Sequence, residues 1–300
     1  MTGLPGTVIE RDGAAYRVMT GHGEVRAVLS GKTKRDTPRV VVGDRVTLLS
    51  DPVGGLYSIN DVAERKTLLE RRVPLGRGTR PIAANIDTVF VVTSNCDPAP
   101  VPQLIDRLLV VAEANEIPAA VVINKVDLDA GTWLEERCRK AGYPVFRTSA
   151  KTGEGLSALR AAMAGRESVV TGPSGAGKSS LLNALHPGLA LRTGELSVKV
   201  RRGRNTTVSA LMVPFEDGYL VDTPGFSEVG LWGIEPRELA SCFPEFRPFI
   251  GECRFQDCRH VSEPGCRIQA AVADGAIAPD RLESYRLLLA ETEAEPEEWE

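Results

Sequence analysis

Gly172-Pro173-Ser174-Gly175-Ala176-Gly177-Lys178-Ser179, GPSGAGKS, is the stretch whose reading decides the fold. It satisfies the spacing G-x-x-x-x-G-K-[ST], follows the apolar run ESVVT and leads into the apolar-rich SSLLNAL. A strand, a glycine-rich turn and a helix in that order form a phosphate-binding loop. Gly172, Gly175 and Gly177 let the backbone turn tightly, so that successive N–H groups face an anion. The helix N-terminus adds a favourable dipole, and Lys178 sets a point charge at the β- and γ-phosphates. Ser179 offers its hydroxyl to Mg²⁺. The candidate phosphate-binding set runs from Gly172 through Ser180.

Upstream, Asn124-Lys125-Val126-Asp127 ends the apolar run AAVVI. A carboxylate at Asp127 can accept both N1–H and the exocyclic amine of guanine, a donor pair that adenine lacks. Asn124 can bond the N7 side of the base, and the Lys125 stem can pack on the ring. Buried complementary polar groups of this kind reject the wrong base strongly. Ser149-Ala150, after the next short strand, can bring a backbone N–H to the guanine O6.

Downstream, Asp222-Thr223-Pro224-Gly225 follows the run YLV. There Asp222 would orient the Mg²⁺ shell and the Gly225 N–H would sense the γ-phosphate. Between the two motifs lies the polar segment RRGRNTTV, residues 201–208. Thr206 or Thr207 is its candidate for closing over Mg²⁺ and the γ-phosphate, with Thr207 preferred. Lys178, Thr206, Thr207, Asp222 and Gly225 therefore make up the candidate catalytic set.

The surrounding chain divides into three. Residues 1–80 carry short strands between glycine turns, expected at Thr7–Glu10, Ala15–Met19, Glu24–Leu29, Arg39–Val42, Arg45–Leu49 and Leu56–Ile59. Such spacing suggests a small closed β-barrel, of OB type before others. A basic connector at 61–81, with Arg65, Lys66, Arg71, Arg72, Arg77 and Arg80, reads either as a flexible linker or as a nucleic-acid-contacting loop. Residues 81–233 alternate strand and helix: strands at Asp87–Ser94, Ala119–Asn124, Val145–Thr148, Ser168–Thr171 and Tyr219–Val221, and helices at Pro102–Glu116, at Thr132–Ala141 and from Lys178. Continuous β-branched runs are what a parallel sheet covered on both faces requires. Residues 234–300 read as a small helical domain containing cysteines.

Cys253, Cys258, His260 and Cys266 follow the pattern C-x4-C-x-H-x5-C, and only one of the three histidines stands among cysteines. Three thiolates and an imidazole suit tetrahedral Zn²⁺, in a structural role because protein fills all four positions. Cys96, Cys138 and Cys242 read as buried thiols. No apolar run reaches eighteen residues and the N-terminus carries no secretory pattern, which points to the cytoplasm and away from a membrane. The net charge of −4 averages opposite regions. Residues 1–80 hold fourteen Lys/Arg against nine Asp/Glu, a net of +5, and the last ten hold six Glu and no base. The basic part is compatible with a phosphate backbone as partner, and the acidic end reads as a disordered tail.

In ordinary P-loop GTPases the phosphate loop comes first; here NKVD precedes it and DTPG comes last. This order, the TSA segment, the barrel and the Cys/Cys/His/Cys loop together resemble the circularly permuted small-subunit ribosome biogenesis GTPases of RsgA/YjeQ type, over nearly the whole chain. The resemblance implies an N-terminal OB fold, association with the small ribosomal subunit and its rRNA late in maturation, and GTP hydrolysis to GDP stimulated by that subunit. It is consistent with a monomer off the ribosome. Asn205 stands where the family usually has histidine, and Phe226 resembles the family's apolar replacement of a water-orienting glutamine, so slow intrinsic turnover is expected. Two other readings are a small-molecule phosphotransferase, which NKVD and the motif order disfavour, and a non-catalytic RNA-binding module that retains nucleotide.

Overall fold

The chain opens with five strands, β1 (Leu4–Asp12), β2 (Ala15–Thr20), β3 (Gly23–Leu29), β4 (Arg45–Ser50) and β5 (Tyr57–Val62). The computed structural model describes residues 3–30, 39–50, 56–72, 79–187, 210–222 and 234–294. Strands β1, β2 and β3 pair as consecutive hairpins, β3 pairs in parallel with β5, β5 pairs with β4, and β4 returns to β1. That closure is a five-stranded barrel of OB type. Alternation along β2 sends Tyr16 and Val18 inward, where they join Val8, Ala27, Val46, Leu48 and Ile59.

Two expectations for this region change. Val40, Val41 and Val42 are buried, yet the segment is not a strand and makes one isolated bridge, Val42 to Ala83. Asp44 turns it instead, its carboxylate accepting the Val41 N–H at 2.8 Å. The basic connector is neither a linker nor a loop throughout. It contains β6 (Leu68–Arg72) and β7 (Thr79–Ala84), an antiparallel pair. Leu69, Ala83 and Ala84 bury their side chains, and that apolar contact outweighs the charge count. Arg65 is spent internally, pairing with the buried Asp44 at 2.8 Å.

The central domain is a sheet in the order β10-β9-β8-β11-β13-β12, formed by β8 (Thr88–Ser94), β9 (Ala119–Asn124), β10 (Val145–Arg147), β11 (Glu167–Thr171), β12 (Leu211–Phe215) and β13 (Gly218–Asp222). All neighbours are parallel except β12 with β13. Strand β12 was not anticipated, because Pro214 within LMVPF reads as a strand breaker; Pro214 is exposed. Alternate residues face opposite ways. Val89, Val91, Val121 and Ile123 pack towards α1 (Pro102–Ala114) and α2 (Trp133–Lys140). Phe90, Val92, Ala120 and Val122 pack towards α3 (Leu156–Met163), also unanticipated, and α4 (Lys178–Leu185). A sheet covered twice has no polar face, hence the unbroken apolar runs.

The C-terminal region has two 3₁₀ turns, Leu239–Cys242 and Pro244–Phe249, then α5 (Arg267–Ala273) and α6 (Pro279–Glu293). Helix α6 takes in the start of the expected tail: Glu291 and Glu293 pair with Arg107 and Arg259. Residues 295–300 lie outside the described residues. Cys138 and Cys242 are buried, burial pushing both thiols up to about 11, whereas Cys96 is only half-buried.

A buried charge network fastens this region to the sheet. The Asp106 carboxylate of α1 is fully buried and accepts from Arg137 of α2 (2.6 and 2.9 Å) and from Arg281 of α6 (2.6 Å). Arg281 also pairs with Glu245 and lies 4.5 Å over the Phe243 ring. Desolvation pushes the Asp106 carboxyl up, but Arg281 and Arg137 prevail and hold it below the ordinary 3.8. Its contribution is therefore present at neutral pH and is lost only as the pH falls through that lowered value. Asp106→Ala would leave two guanidiniums buried without their anion. It is expected to lower unfolding free energy by about 3–5 kcal/mol in urea titrations; a loss under about 1 kcal/mol would show that solvent, not Asp106, compensates these arginines.

Candidate nucleotide site and metal loop

Parallel strands deliver their carboxyl ends to one edge, where open α/β sheets bind ligands. Strand β11 sits between β8 and β13 and runs into the Gly172–Gly177 turn at that edge. Gly172 has φ +140°, and a Cβ there would lie 2.0 Å from the Val92 carbonyl oxygen, so the turn tolerates only glycine. Lys178, the first residue of α4, folds back over the loop and donates to the carbonyls of Gly172 (2.7 Å) and Pro173 (2.9 Å). Burial lowers the pKa of its ammonium, a charge that a phosphate in the loop would compensate. Ser174, Gly175 and Ser180 are exposed, Pro173, Gly177 and Ser179 half-buried, and Ala176 buried.

The Asn124–Asp127 segment reaches this loop directly. Asn124 is buried, its Nδ2 donates to the Ala176 carbonyl at 3.1 Å, and its Oδ1 accepts from the Ala150 N–H at 3.2 Å. One carboxamide thus joins three motifs. Val126 is buried and donates its N–H to the Thr148 carbonyl. Asp127 is exposed, and its Oδ1 accepts from the buried Ser149 hydroxyl at 2.6 Å. A Cβ on Gly177, φ +87°, would fall 2.5 Å from Asn124 Nδ2, so the loop and the Asn124–Asp127 segment meet without room for a side chain.

Asp222 ends β13, whose Val221 pairs with Val169 just below the phosphate loop. Burial pushes its carboxyl up to about 6, and no cation among the described residues stands against it. Thr206, Thr207 and Gly225, with Asn205 and Phe226, lie outside the described residues. A further wall of the site carries no motif: the loop after β8. The Asp97 carbonyl accepts from Lys125 Nζ, and a Cβ on Gly175 would lie 3.2 Å from Pro98 Cδ. Only the position of β8 beside β11 in the sheet could have exposed it.

At the far end, the ligand atoms of Cys253, Cys258, His260 and Cys266 lie within 4.8 Å of one another. His260 Nδ1 stands 3.6 Å from Cys253 Sγ and 3.4 Å from Cys266 Sγ. Ligands about 2.0–2.3 Å from one tetrahedral ion would be separated by about that much. Backbone N–H groups of Arg267 and Gln269 approach Cys253 and Cys266 at 3.3 and 3.5 Å, as they would approach thiolates. Burial and the neighbouring thiols push Cys258 up to about 12, so several thiolates here need a cation. The donor set fits a metal ion. Tyr285 of α6 fixes the loop, packing on His260 and donating its hydroxyl to the Arg259 carbonyl.

A family profile for RsgA GTPases matches residues 62–232. The small ribosomal subunit biogenesis GTPase RsgA of Gemmatimonas aurantiaca is 47% identical over 95% of this chain and 96% of its own. Its Thermotoga maritima namesake is 42% identical over 86% and 85%. The chain belongs to the RsgA GTPase family. Two solved structures have the same fold. The crystal structure of YjeQ from Thermotoga maritima superposes with a TM-score of 0.77 at 36% identity, over 96% of this chain and 98% of that one. YloQ, described as a circularly permuted GTPase, gives 0.77 at 28% identity, over 97% and 95%. As an RsgA GTPase the chain hydrolyses GTP, and its central domain is circularly permuted: β8, β9 and β10 precede the phosphate-loop strand in sequence but lie together on one side of it in space.

Two outcomes test this geometry. Gly172→Ala should abolish nucleotide binding in equilibrium titration and lower the melting temperature, because Val92 cannot retreat from within the sheet. A strong chelator should strip one metal per chain and lower the melting temperature of the metal-loop region, with recovery on adding Zn²⁺; a metal-free preparation of unchanged stability would exclude a structural ion.

Proposed function

We propose that this RsgA GTPase binds the small ribosomal subunit and hydrolyses GTP to GDP and phosphate during late maturation of that subunit, with the particle as its activator. The observation that carries the nucleotide part is the Asn124 carboxamide, which holds Ala176 of the phosphate loop and Ala150 of the following segment around one pocket. Asp127 takes guanine N1–H and the exocyclic amine, its orientation set by Ser149. Lys125 lies along the ring, and Ala150 supplies an N–H towards O6. When phosphate enters, Lys178 exchanges the carbonyls of Gly172 and Pro173 for β- and γ-oxygens, while N–H groups of residues 174–180 line the anion.

Ser179, Thr207 and Asp222 would hold Mg²⁺, which neutralises charge on the transferring phosphoryl group. The half-buried Asp222 carboxylate, with no cation beside it among the described residues, supports that assignment. Thr206 and Gly225 would close on the γ-phosphate. Phe226 cannot hydrogen-bond water, and Asn205 replaces the family histidine, so the isolated chain turns over slowly. Cys253, Cys258, His260 and Cys266 hold one structural Zn²⁺.

Three units divide the work: residues 1–80 with the barrel, 81–233 with the nucleotide, and 234–300 with the metal. The barrel, the basic connector and the metal domain would supply the contacts to rRNA. Among the described residues no helix is long and apolar enough to cross a membrane. We place the protein in the cytoplasm, as a monomer off the ribosome, without membrane contact. The relatives' names, which specify small-subunit biogenesis, support the choice of particle.

The test is a single-turnover and steady-state hydrolysis assay with and without purified small subunits. Alone, the protein should turn over at about 10⁻⁴ to 10⁻² s⁻¹, the range of unassisted GTPases. Small subunits should raise this by at least tenfold, and GTP should favour their co-sedimentation over GDP; equal rates and equal sedimentation would refute the activator role. In the same assay Asp127→Asn should convert preference from GTP to xanthosine triphosphate.

A further inference from the structure

The loop carrying Asp127 is held at its backbone by two side chains that belong to no nucleotide motif. Strand β9, which delivers Asn124 to Asp127, lies between β8 and β10. Asn95 follows β8 directly and is 6% exposed; its Nδ2 donates to the Gly131 carbonyl at 2.6 Å and towards that of Asp129 at 3.4 Å. Arg147 ends β10, and its guanidinium donates to the carbonyls of Gly131 (3.0 Å) and Ala130 (3.1 Å), braced by Glu135 at 3.3 Å. Three consecutive carbonyls, 129 to 131, are thus taken by one side chain from each flanking strand. The Asn95 amide can have only this orientation, since a flip would set its Oδ1 against two carbonyl oxygens. Within the loop, the Gly131 N–H closes on Asp129 Oδ1 at 2.8 Å and the Leu128 N–H on the Lys125 carbonyl at 3.0 Å. Asp127 lies within the Lys125–Leu128 turn, just ahead of the Asp129–Gly131 turn.

We infer that Asn95, assisted by Arg147, is a positioning residue for guanine recognition: it fixes the backbone of residues 129–131 so that both Asp127 carboxylate oxygens meet the two donors of guanine at once. The inference rests on the reading of Asp127 as the guanine-binding carboxylate. Asp127 is exposed, and the described structure ties one of its oxygens, through Ser149. The aim of the other oxygen depends on the chain that follows. Hypoxanthine lacks the exocyclic amine and offers that carboxylate a single donor, so a misplaced Asp127 loses more against guanine than against hypoxanthine. Neither Asn95 nor Arg147 touches the nucleotide in this scheme, so the phosphate contacts are unaffected.

The experiment is calorimetric titration of the full chain with GDP and with inosine diphosphate, for the parent, Asn95→Leu and Arg147→Met. Leucine keeps the branched outline of asparagine and removes its N–H groups; Asn95→Ala carries the same comparison if the bulkier leucine variant does not fold. Expected is a loss of GDP affinity on the order of tenfold, the worth of a buried hydrogen bond. The inosine diphosphate affinity should fall by much less, so that the ratio of the two approaches one. Parallel weakening of both ligands, which leaves the ratio unchanged, would mean that Asn95 serves only the fold and would overturn the inference. Asp127→Asn titrated with xanthosine diphosphate separates the two levels. If it does not gain xanthine affinity, the reading of Asp127 is wrong. If it does while the Asn95 and Arg147 variants keep the parental ratio, the positioning role alone fails.

Discussion

The Asn124 carboxamide is the contact on which the rest of the site depends. It is buried, so each of its polar atoms costs about 1–3 kcal/mol if left without a partner. It finds those partners in Ala150 and Ala176, residues far apart in the chain that converge only if β9, β10 and β11 present their carboxyl ends together. The sheet satisfies that condition whatever order the chain visits its strands, because ladder hydrogen bonds fix neighbours in space. Permutation is therefore cheap for the chemistry: it moves the chain's breaks to loops and leaves the pocket's edges where the parallel strands place them.

Most of the site was legible in the sequence, for a physical reason. The segments GPSGAGKS and NKVD build the candidate site from backbone geometry and short side chains at fixed spacing, so the chain must state them locally. Gly172 shows this best, since the 2.0 Å approach of Val92 leaves no alternative residue. The cysteines and His260 were legible because a metal demands its donors by type. The loop at Asp97 and Pro98 was not, because its contribution is a carbonyl and a ring edge that any sequence could supply. The β6–β7 hairpin was hidden by its arginines: charge count dominated where Leu69 and Ala83 decided the structure. Val40 to Val42 erred the other way, three β-branched residues turned out of the ladder by one aspartate, Asp44. Strand β12 was concealed by Pro214, a residue permitted where the ladder does not need its N–H.

Charge is used in two distinct ways in this fold. At the edge that carries the candidate nucleotide site the described residues leave it uncompensated: Lys178 donates to the carbonyls of Gly172 and Pro173, and none of the described cations pairs with Asp222. Behind the sheet it is compensated completely, with Asp106, Arg137, Arg281 and Glu245 closing on one another out of water. The first arrangement costs stability and suits an anion that arrives with a cation. The second adds little net stability over an apolar packing, but it penalises any other arrangement of the same helices, because separating them strands a buried charge.

The attachments of the C-terminal region follow from both facts. In sequence it continues from β13, the strand that ends in Asp222 at the phosphate end of the site. In space it is fastened to α1 and α2, the helices that begin after the Asp97 loop and after the Asp127 loop at the base end. Arg107 to Glu291 and Arg247 to Glu113 add two more ties to α1 alone. The barrel is joined on the opposite side, by the pairing of Glu10 with Leu211 of β12 and by the Arg45 to Glu167 ion pair at the foot of β11. The nucleotide edge thus lies between two units that grip different strands and helices of one sheet.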